Sequence, residues 1–261
     1  MNKFTIKPNQ FLERSIQAFY HSDYQGGSDE QRETTGTVEN VICSLKNQFN
    51  STTENTLQKA AGKLTEFLET DLPQILKETG KYSLTVCVIP RAKANYQNNQ
   101  LLFKATISSV VDTLNNFENG TNYITRHTDT RTTHMNKKGY GGDGEIPYSG
   151  ITKGTCNISD EVKGKDILLI DDLYTKSVNI DEDAIQALLD KGANSVVFYA
   201  IGKTVLKNEL EIEGFVASNA AKFSAINDDI VAKMRFKGIM GCDFDPDNEK
   251  HVAFLPHCYL K

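Results

Sequence analysis

Short apolar runs alternate with amphipathic segments through the middle of the sequence, and this alternation constrains the fold more than any other feature. The apolar runs are typical of buried strands, and they cover residues 83–90 (SLTVCVIP), 166–171 (DILLID) and 195–202 (SVVFYAIG). Segments with apolar residues three or four positions apart predict helices at residues 38–49, 57–76, 101–114 and 180–191. Strands that alternate with helices form βαβ units, so we expect an α/β fold with a mostly parallel twisted sheet flanked by helices.

The length suits one large domain with an extension. We expect an N-terminal segment with helices at residues 1–80, a core at residues 81–204 and a C-terminal α/β extension at residues 205–261 that packs on the core. The extension could also recognise a second substrate or form a homodimer. Two polar, glycine-bearing stretches, residues 21–37 and 119–157, are predicted to be loops, the second with a short strand near its start.

Charge and hydropathy limit the partners that the protein can have. The net charge is -5, which argues against a broad nucleic-acid-binding surface but allows a local basic pocket. No apolar run approaches the roughly 20 residues that span a bilayer, and residues 1–20 lack the apolar core of a signal peptide. We therefore expect a cytoplasmic protein with no membrane partner.

The five cysteines are scattered, odd in number and never at CxxC spacing. They are interpreted as reduced thiols that mostly pack in the interior. A zinc site that combines them with His251 or His257 remains an alternative, although the paired spacing of such sites is missing.

The stretch DILLIDDLYTKSVN, residues 166–179, ends a predicted strand on two carboxylates, Asp171 and Asp172. Ligands of open parallel sheets bind outside the carboxyl ends of the strands. Carboxylates accept hydrogen bonds from hydroxyls, and the backbone N–H groups of residues 175–179, at the start of a helix, favour an anion. Lys176 adds a positive charge. The stretch therefore predicts a site for a sugar phosphate, while a turn or a helix cap is the simpler alternative.

The segment ILLIDDLYTKSVN resembles the phosphoribosyl pyrophosphate (PRPP) motif of type I phosphoribosyltransferases, in which two acidic residues and a T-T-G-x-T loop follow an apolar strand. Within that superfamily the chain is most similar to ComF-like proteins, relatives of amidophosphoribosyltransferase. The supporting pieces are ICSLK, VCVIPRAKANYQNNQ, RHTDTRTTH and the basic lead-in VKGKDILLIDD. The resemblance covers roughly residues 38–204 and implies the type I phosphoribosyltransferase fold.

The resemblance also implies roles for individual residues. Asp171 and Asp172 would be catalytic, would hold the ribose hydroxyls and would contact Mg²⁺ indirectly, through substrate or water. The 5-phosphate would lie against Tyr174, Thr175, Lys176, Ser177, Val178 and Asn179, and the pyrophosphate against Arg91, Ala92 and Lys93. A flexible loop with Arg126, Arg131, Lys137 and Lys138 would close over the leaving group. The implied activity transfers phosphoribosyl from PRPP to an unknown amine or base, with Mg²⁺ as cofactor.

Departures from the motif motivate alternatives. Ser177 replaces the usual glycine, Lys176 and Asn179 replace threonines, and Asp181 begins an acidic triplet that would repel a phosphate it faced. The first alternative is therefore a protein that senses PRPP or a nucleotide without turnover. The second is a competence- or defence-linked DNA-handling protein, which the acidic net charge disfavours. Thr175 stands where purine-salvage members carry a carboxylate base, which disfavours hypoxanthine and guanine as acceptors.

Other interpretations of these motifs are weaker. A response-regulator receiver needs more than the 90 residues that follow Asp171, and the sequence Gly202-Lys203-Thr204 lacks the earlier glycine of a P-loop because Val197 occupies its place. Arg91 and Lys93 could belong to an ordinary solvated loop. Residues 126–145 are expected to be poorly ordered without ligand, because they contain four glycines and few apolar residues.

Overall fold

The computed structural model describes residues 1–26, 29–132, 142–176, 178–205 and residue 236. The chain separates into two compact units, Met1–Thr204 and Val205–Lys261. The predictions for the C-terminal extension concern residues that lie almost entirely outside the described part. No helix within the described ranges is long and apolar enough to cross a membrane.

The first unit is built from strands and helices that alternate over most of its length. The strands are β1 (Asn2–Ile6), β2 (Ile16–Tyr24), β3 (Leu84–Val88), β4 (Phe117–Asn119), β5 (Ile124–Arg126), β6 (Cys156–Ile158), β7 (Asp166–Tyr174) and β8 (Ser195–Thr204). The helices are α1 (Asp29–Glu33), α2 (Val38–Lys46), α3 (Glu54–Thr79), α4 (Leu102–Val111), α5 (Ile151–Thr155) and α6 (Ile180–Lys191).

Six strands form one mixed sheet in the order β1-β2-β8-β7-β3-β4. The β1–β2 pair is antiparallel, and the other four pairings are parallel. Strands β5 and β6 form a separate antiparallel pair. These features confirm the predicted class, an α/β fold with a mostly parallel sheet flanked by helices.

The N-terminal segment contributes more to the sheet than the sequence indicated. Strand β2 runs through Tyr24 and pairs with β8, and α1 follows it, so the prediction of a loop over residues 21–37 is wrong in these parts. Strand β5 confirms the short strand predicted near the start of residues 119–157, whereas α5 and the start of β6 lie where only a loop was predicted. Helix α3 contains the predicted helix at residues 57–76 and continues through Pro73.

Both faces of the sheet are covered by apolar side chains. Helices α2, α3 and α4 pack on one face, against β7 and β8 residues such as Leu168, Ile170 and Val197. Helix α6 and the β5–β6 pair pack on the other face, which includes Leu169 and Phe198. The sheet is therefore a buried middle layer, which leaves the ends of its strands as the places for a polar site.

One carboxylate is buried within the first of these layers. Asp71 of α3 is 1% exposed. It accepts a hydrogen bond from the Tyr199 hydroxyl at 2.8 Å and contacts Nδ1 of His21 at 2.9 Å. The His21 ring stacks on Phe67 with the ring centroids 3.8 Å apart. Burying a carboxylate without partners costs free energy, and these contacts offset that cost. They also connect α3 to β2 and β8.

The helix ends follow capping rules. Thr37 and Thr53 precede α2 and α3, and each side-chain hydroxyl accepts a hydrogen bond from the backbone N–H three residues later. Helix α6 covers the predicted range and ends at Gly192, which has φ 104°. It begins after Asn179, whose φ of 60° is in the left-handed region that asparagine tolerates.

Candidate functional site

The sheet has a topological switch point between β3 and β7. The chain leaves β3 through α4 to reach β4 on one side, and it leaves β7 through α6 to reach β8 on the other side. Because β3 and β7 are adjacent and parallel, the segments that follow them diverge and leave a crevice at their carboxyl ends. Crevices of this kind are the usual ligand sites of open α/β sheets.

A cavity of about 150 Å³ occupies this crevice. Its walls come from α2, from the segments that follow β3 and β5, from α4 and from the β7–α6 connection. They include Ile42, Leu45, Lys46, Pro90, Arg91, Ala92, Phe103, Arg126, Thr130, Arg131, Thr132, Asp171, Asp172, Thr175, Val178 and Asp181. The structure therefore brings together the acidic pair, two of the three residues predicted to hold pyrophosphate and two arginines of the predicted flexible loop.

Asp171 and Asp172 lie within β7, which continues to Tyr174 and thus beyond the strand end predicted at residue 171. The ladder to β8 continues past them, with Asp171 opposite Ala200 and Leu173 opposite Gly202. Successive side chains of a strand point to opposite faces. Accordingly, Asp172 contacts Lys46 of α2 on one face, and Asp171 contacts Asp181 of α6 on the other.

Lys46 forms an ion pair with Asp172, and the Nζ to Oδ1 distance is 3.0 Å. Both side chains are largely buried, with 20% and 17% of their areas exposed. Burial alone would lower the pKa of Lys46, but the negative charges of Asp172 and Asp171 raise it above its usual value. The lysine is therefore a permanent cation at neutral pH, and it offsets part of the charge of the acidic pair.

Asp171 and Asp181 share a hydrogen bond between their carboxyl groups. Burial, followed by the charge of Asp172, raises the pKa of Asp171 to about 7. Burial and the nearby Asp171 raise the pKa of Asp181 well above its usual range. Asp181 is thus the protonated member that donates to Asp171, and its Oδ1 atom has no hydrogen-bond partner. The sequence pattern identified Asp171 but not the carboxyl that holds it.

Arg131 is a cation without a counter-charge on the cavity wall. Its Nε is buried and has no hydrogen-bond partner, and no ion pair involves its guanidinium within the part of the chain that the structure describes. The backbone N–H of Arg131 donates to the carbonyl oxygen of Glu145 at 2.8 Å, and the N–H of Thr130 donates to that of Ala92 at 2.7 Å. These bonds hold the backbone of Arg131 and of the residue before it.

Arg126 has a structural position, which corrects the prediction that it belongs to a free loop. Its Nε donates to the Arg91 carbonyl oxygen at 2.5 Å, and its terminal nitrogens donate to the Pro90 carbonyl and to the Thr155 hydroxyl. Burial lowers the pKa of Arg126. The guanidinium thus supports the segment after β3. Lys137 and Lys138, predicted with it, lie outside the described residues.

Arg91 and Ala92 line the cavity, as a pyrophosphate loop would, but Arg91 already has partners. Its guanidinium donates to the Gln100 carbonyl and the Gln48 side chain, and it lies 4.1 Å from the centroid of the Tyr96 ring.

Lys93, the third residue of the predicted pyrophosphate loop, is not among the residues that line the cavity. Its ammonium donates to the carbonyl oxygens of Thr130 and Asp143. The segment predicted to bind pyrophosphate therefore has most of its side-chain donors in use within the protein.

The β7–α6 connection only partly fits the predicted phosphate cradle. Thr175 and Val178 line the cavity, but the Val178 N–H donates to the Thr175 carbonyl oxygen at 2.9 Å. The side-chain oxygen of Asn179 accepts a hydrogen bond from the Asn9 amide. Lys176 is exposed. Ser177 lies outside the described residues.

Tyr174 is not at the cavity, contrary to the prediction for it. The ring is buried on the α6 side of the sheet, where it packs against Phe4 and Phe198. Its hydroxyl donates to Glu182 at 2.9 Å. Glu182 and the next residue, Asp183, are buried and engaged away from the cavity, so of the acidic triplet it is Asp181 that lines it.

No role at the site was predicted from the sequence for Lys46, which lies in the quoted ICSLK segment, or for Asp181, which was noted only as a residue that would repel phosphate. Lys46 is next to Leu45 and one turn after Ile42, so it lies beside the buried face of α2. From this helical position the sequence could have indicated that the lysine lies close to the sheet. Asp181 gave no signal because acidic residues are ordinary in the first turn of a helix.

Comparison with known proteins adds no assignment, because the chain matches no protein-family model and no curated protein. No group of three or more histidine, cysteine, aspartate or glutamate side chains within the described ranges is arranged to hold a metal ion. The function must therefore be inferred from the geometry of the cavity.

Proposed function

We propose that the protein is a Mg²⁺-dependent phosphoribosyltransferase that binds PRPP in the crevice between β3 and β7. The observation that carries this proposal is the combination, on the walls of one cavity, of the acceptors Asp171 and Asp172 with the unpaired guanidinium of Arg131. PRPP presents ribose hydroxyls and phosphates a few Å apart, so it requires carboxylates and a cation in the same place.

The reaction transfers the phosphoribosyl group to a nitrogen nucleophile. The lone pair of the nitrogen forms a bond to C1 of the ribose, and the bond from C1 to the pyrophosphate oxygen breaks with its electron pair. The surplus proton on nitrogen passes to a base or to solvent. Positive charge develops on the ribose beside Asp171 and Asp172, and negative charge develops on the leaving group, which Arg131 can neutralise.

Mg²⁺ fits this site in the manner that is usual for it with phosphate ligands. The ion keeps several waters and binds through one or two carboxylates together with substrate phosphates. Asp171 and Asp172 are the carboxylates that would contact it indirectly, through substrate or water. When bound, the ion supplies charge that neutralises the pyrophosphate.

Calorimetry with PRPP and Mg²⁺ tests the proposal. The parent protein should bind, and Asp172→Asn and Arg131→Met should each weaken binding by about tenfold or more, since each removes a charged hydrogen-bonding group. The matched controls are Asp160→Asn and Arg14→Met, which change exposed side chains of the same types. If the parent protein does not bind PRPP at millimolar concentration, the proposal is wrong.

Two observations favour a second candidate, a PRPP- or nucleotide-binding sensor without turnover. Asp171 already accepts a hydrogen bond from Asp181, and the Val178 N–H is used within the loop. Both reduce the groups available to stabilise a transition state. Pyrophosphate release separates the two candidates. Binding without release, over a panel of bases and amines, would assign the sensor role.

A further inference from the structure

Lys46 has donor capacity that the fold does not use. An ammonium has three N–H donors, and the hydrogen-bonding contact of Lys46 within the described residues is the one to Asp172 Oδ1. The side chain reaches the cavity from the last turn of α2, at the end of the ICSLK segment, to which no ligand-binding role was assigned. Its remaining donors are therefore available to a ligand.

Asp172 can serve Lys46 and a ligand at once. The ion pair uses Oδ1, and no hydrogen bond in the described part of the chain uses Oδ2. A ribose hydroxyl bound to Oδ2 would lie within a few Å of the Lys46 ammonium. On PRPP the group next to the 2-hydroxyl is the pyrophosphoryl group at C1, because carbons 1 and 2 are bonded to each other.

The geometry points to Lys46 as a further ligand-binding residue, which contacts the pyrophosphoryl group while Asp172 holds the adjacent hydroxyl. This inference rests on the proposed function for the identity of the ligand. Arg131, on the segment after β5, then binds the same anion from another wall of the cavity. Arg91 and Lys93 already donate hydrogen bonds to backbone carbonyl oxygens. Lys46 and Arg131 would supply the positive charge and the donors for the pyrophosphoryl group in their place.

The alternative role for Lys46 is structural, as the counter-charge that keeps Asp172 in place. The two roles differ in how the effect depends on the ligand. A structural lysine would, when removed, weaken every ligand that uses Asp172. A pyrophosphoryl-binding lysine would, when removed, weaken PRPP and inorganic pyrophosphate much more than ribose 5-phosphate, which has the hydroxyls but lacks the pyrophosphate.

The experiment compares Lys46→Met and Lys46→Arg with the parent protein, using calorimetry with PRPP, inorganic pyrophosphate and ribose 5-phosphate, each with Mg²⁺. We expect Lys46→Met to lose about tenfold or more in affinity for the first two and less than about threefold for the third. Lys46→Arg should restore most of the loss. Lys163→Met, at an exposed lysine that pairs with Asp160, should change none of the three affinities.

The outcomes distinguish the role of Lys46 from the proposed function. Equal losses for all three ligands, or no loss, would overturn the role of Lys46 and leave the proposed function intact. If the parent protein fails to bind PRPP, the proposed function is wrong, and inorganic pyrophosphate alone decides on Lys46. If the parent protein binds inorganic pyrophosphate and Lys46→Met does not, the anion-binding role of Lys46 is supported. If the parent protein does not bind inorganic pyrophosphate, that role is overturned. Melting curves of each variant identify any that does not fold.

Discussion

Replacing Asp181 with asparagine should make the protein less sensitive to rising pH. In the folded protein, Asp181 is protonated and donates to Asp171, and the pKa of both carboxyls is raised, mainly by burial. Unfolding releases those protons at neutral pH. A raised folded-state pKa therefore stabilises the fold at low pH, and this stabilisation is lost as the pH rises from about 4 to the folded-state pKa.

The magnitude follows from the pKa of Asp171, which moves from 3.8 to about 7. Each unit corresponds to about 1.4 kcal/mol, so the upper limit of the stability lost by about pH 8 is about 4 kcal/mol for this group. An amide at position 181 donates to Asp171 without a titrating proton. Asp171 keeps a raised pKa in this variant, because burial and the charge of Asp172 are the main causes, so the substitution removes only the titration of Asp181. We therefore expect Asp181→Asn to gain stability relative to the parent between about pH 5 and pH 8, on the order of 1 kcal/mol or more, since one pKa unit corresponds to about 1.4 kcal/mol.

Urea unfolding at these two pH values measures the effect. The matched control is Asp190→Asn on the same helix, where the ion pair with Lys153 lowers the aspartate pKa. Both pH values lie above that pKa, so the cost of the control substitution should be the same at both. If the stability difference between Asp181→Asn and the parent is also independent of pH, the shared-proton account is wrong.

Two further substitutions test the packing that supports the site. Tyr199→Phe removes one of two partners of the buried Asp71, so the free energy of unfolding should fall by about 1–3 kcal/mol in urea; a change under about 0.5 kcal/mol would contradict the role of that hydrogen bond. Gly202→Ala would bring a Cβ to 2.9 Å from Cδ1 of Ile42 and 3.0 Å from Cγ1 of Val38, so these side chains of α2 must move. We expect a loss of about 1–3 kcal/mol together with weaker PRPP binding, whereas Gly62→Ala, which has open space in α3, should not destabilise. Unchanged PRPP affinity in Gly202→Ala would show that the position of α2 does not matter for the ligand.

The alternating pattern predicted the central strands and helices because their apolar periodicity is local. Strand β2 was missed because its exposed and half-buried residues, such as His21 and Asp23, make the segment look polar. Its strand character comes from pairing with β8, which is remote in sequence. A window of neighbouring residues contains no information about such a partner.

The candidate site was also predictable only where its residues follow from a local sequence pattern. The acidic pair follows a recognisable strand, so Asp171 and Asp172 could be found from the sequence. Lys46 approaches them through the packing of α2 on the sheet, which only the assembled fold defines. Tyr174 and Arg126 were placed wrongly because a motif gives the order of residues but not the face of the strand or the hydrogen bonds that occupy a side chain.

The position of β2 has a consequence for how the chain folds during synthesis. Ala18 pairs with Phe198, 180 positions later, and β2 is the strand that joins β1 to the rest of the sheet. The N-terminal hairpin therefore emerges from the ribosome long before its partner exists, and it has an open edge until β8 arrives. Closing so long a loop is slow. Truncated chains that end before β8 should consequently be aggregation-prone, and β8 should complete the sheet in a single late step.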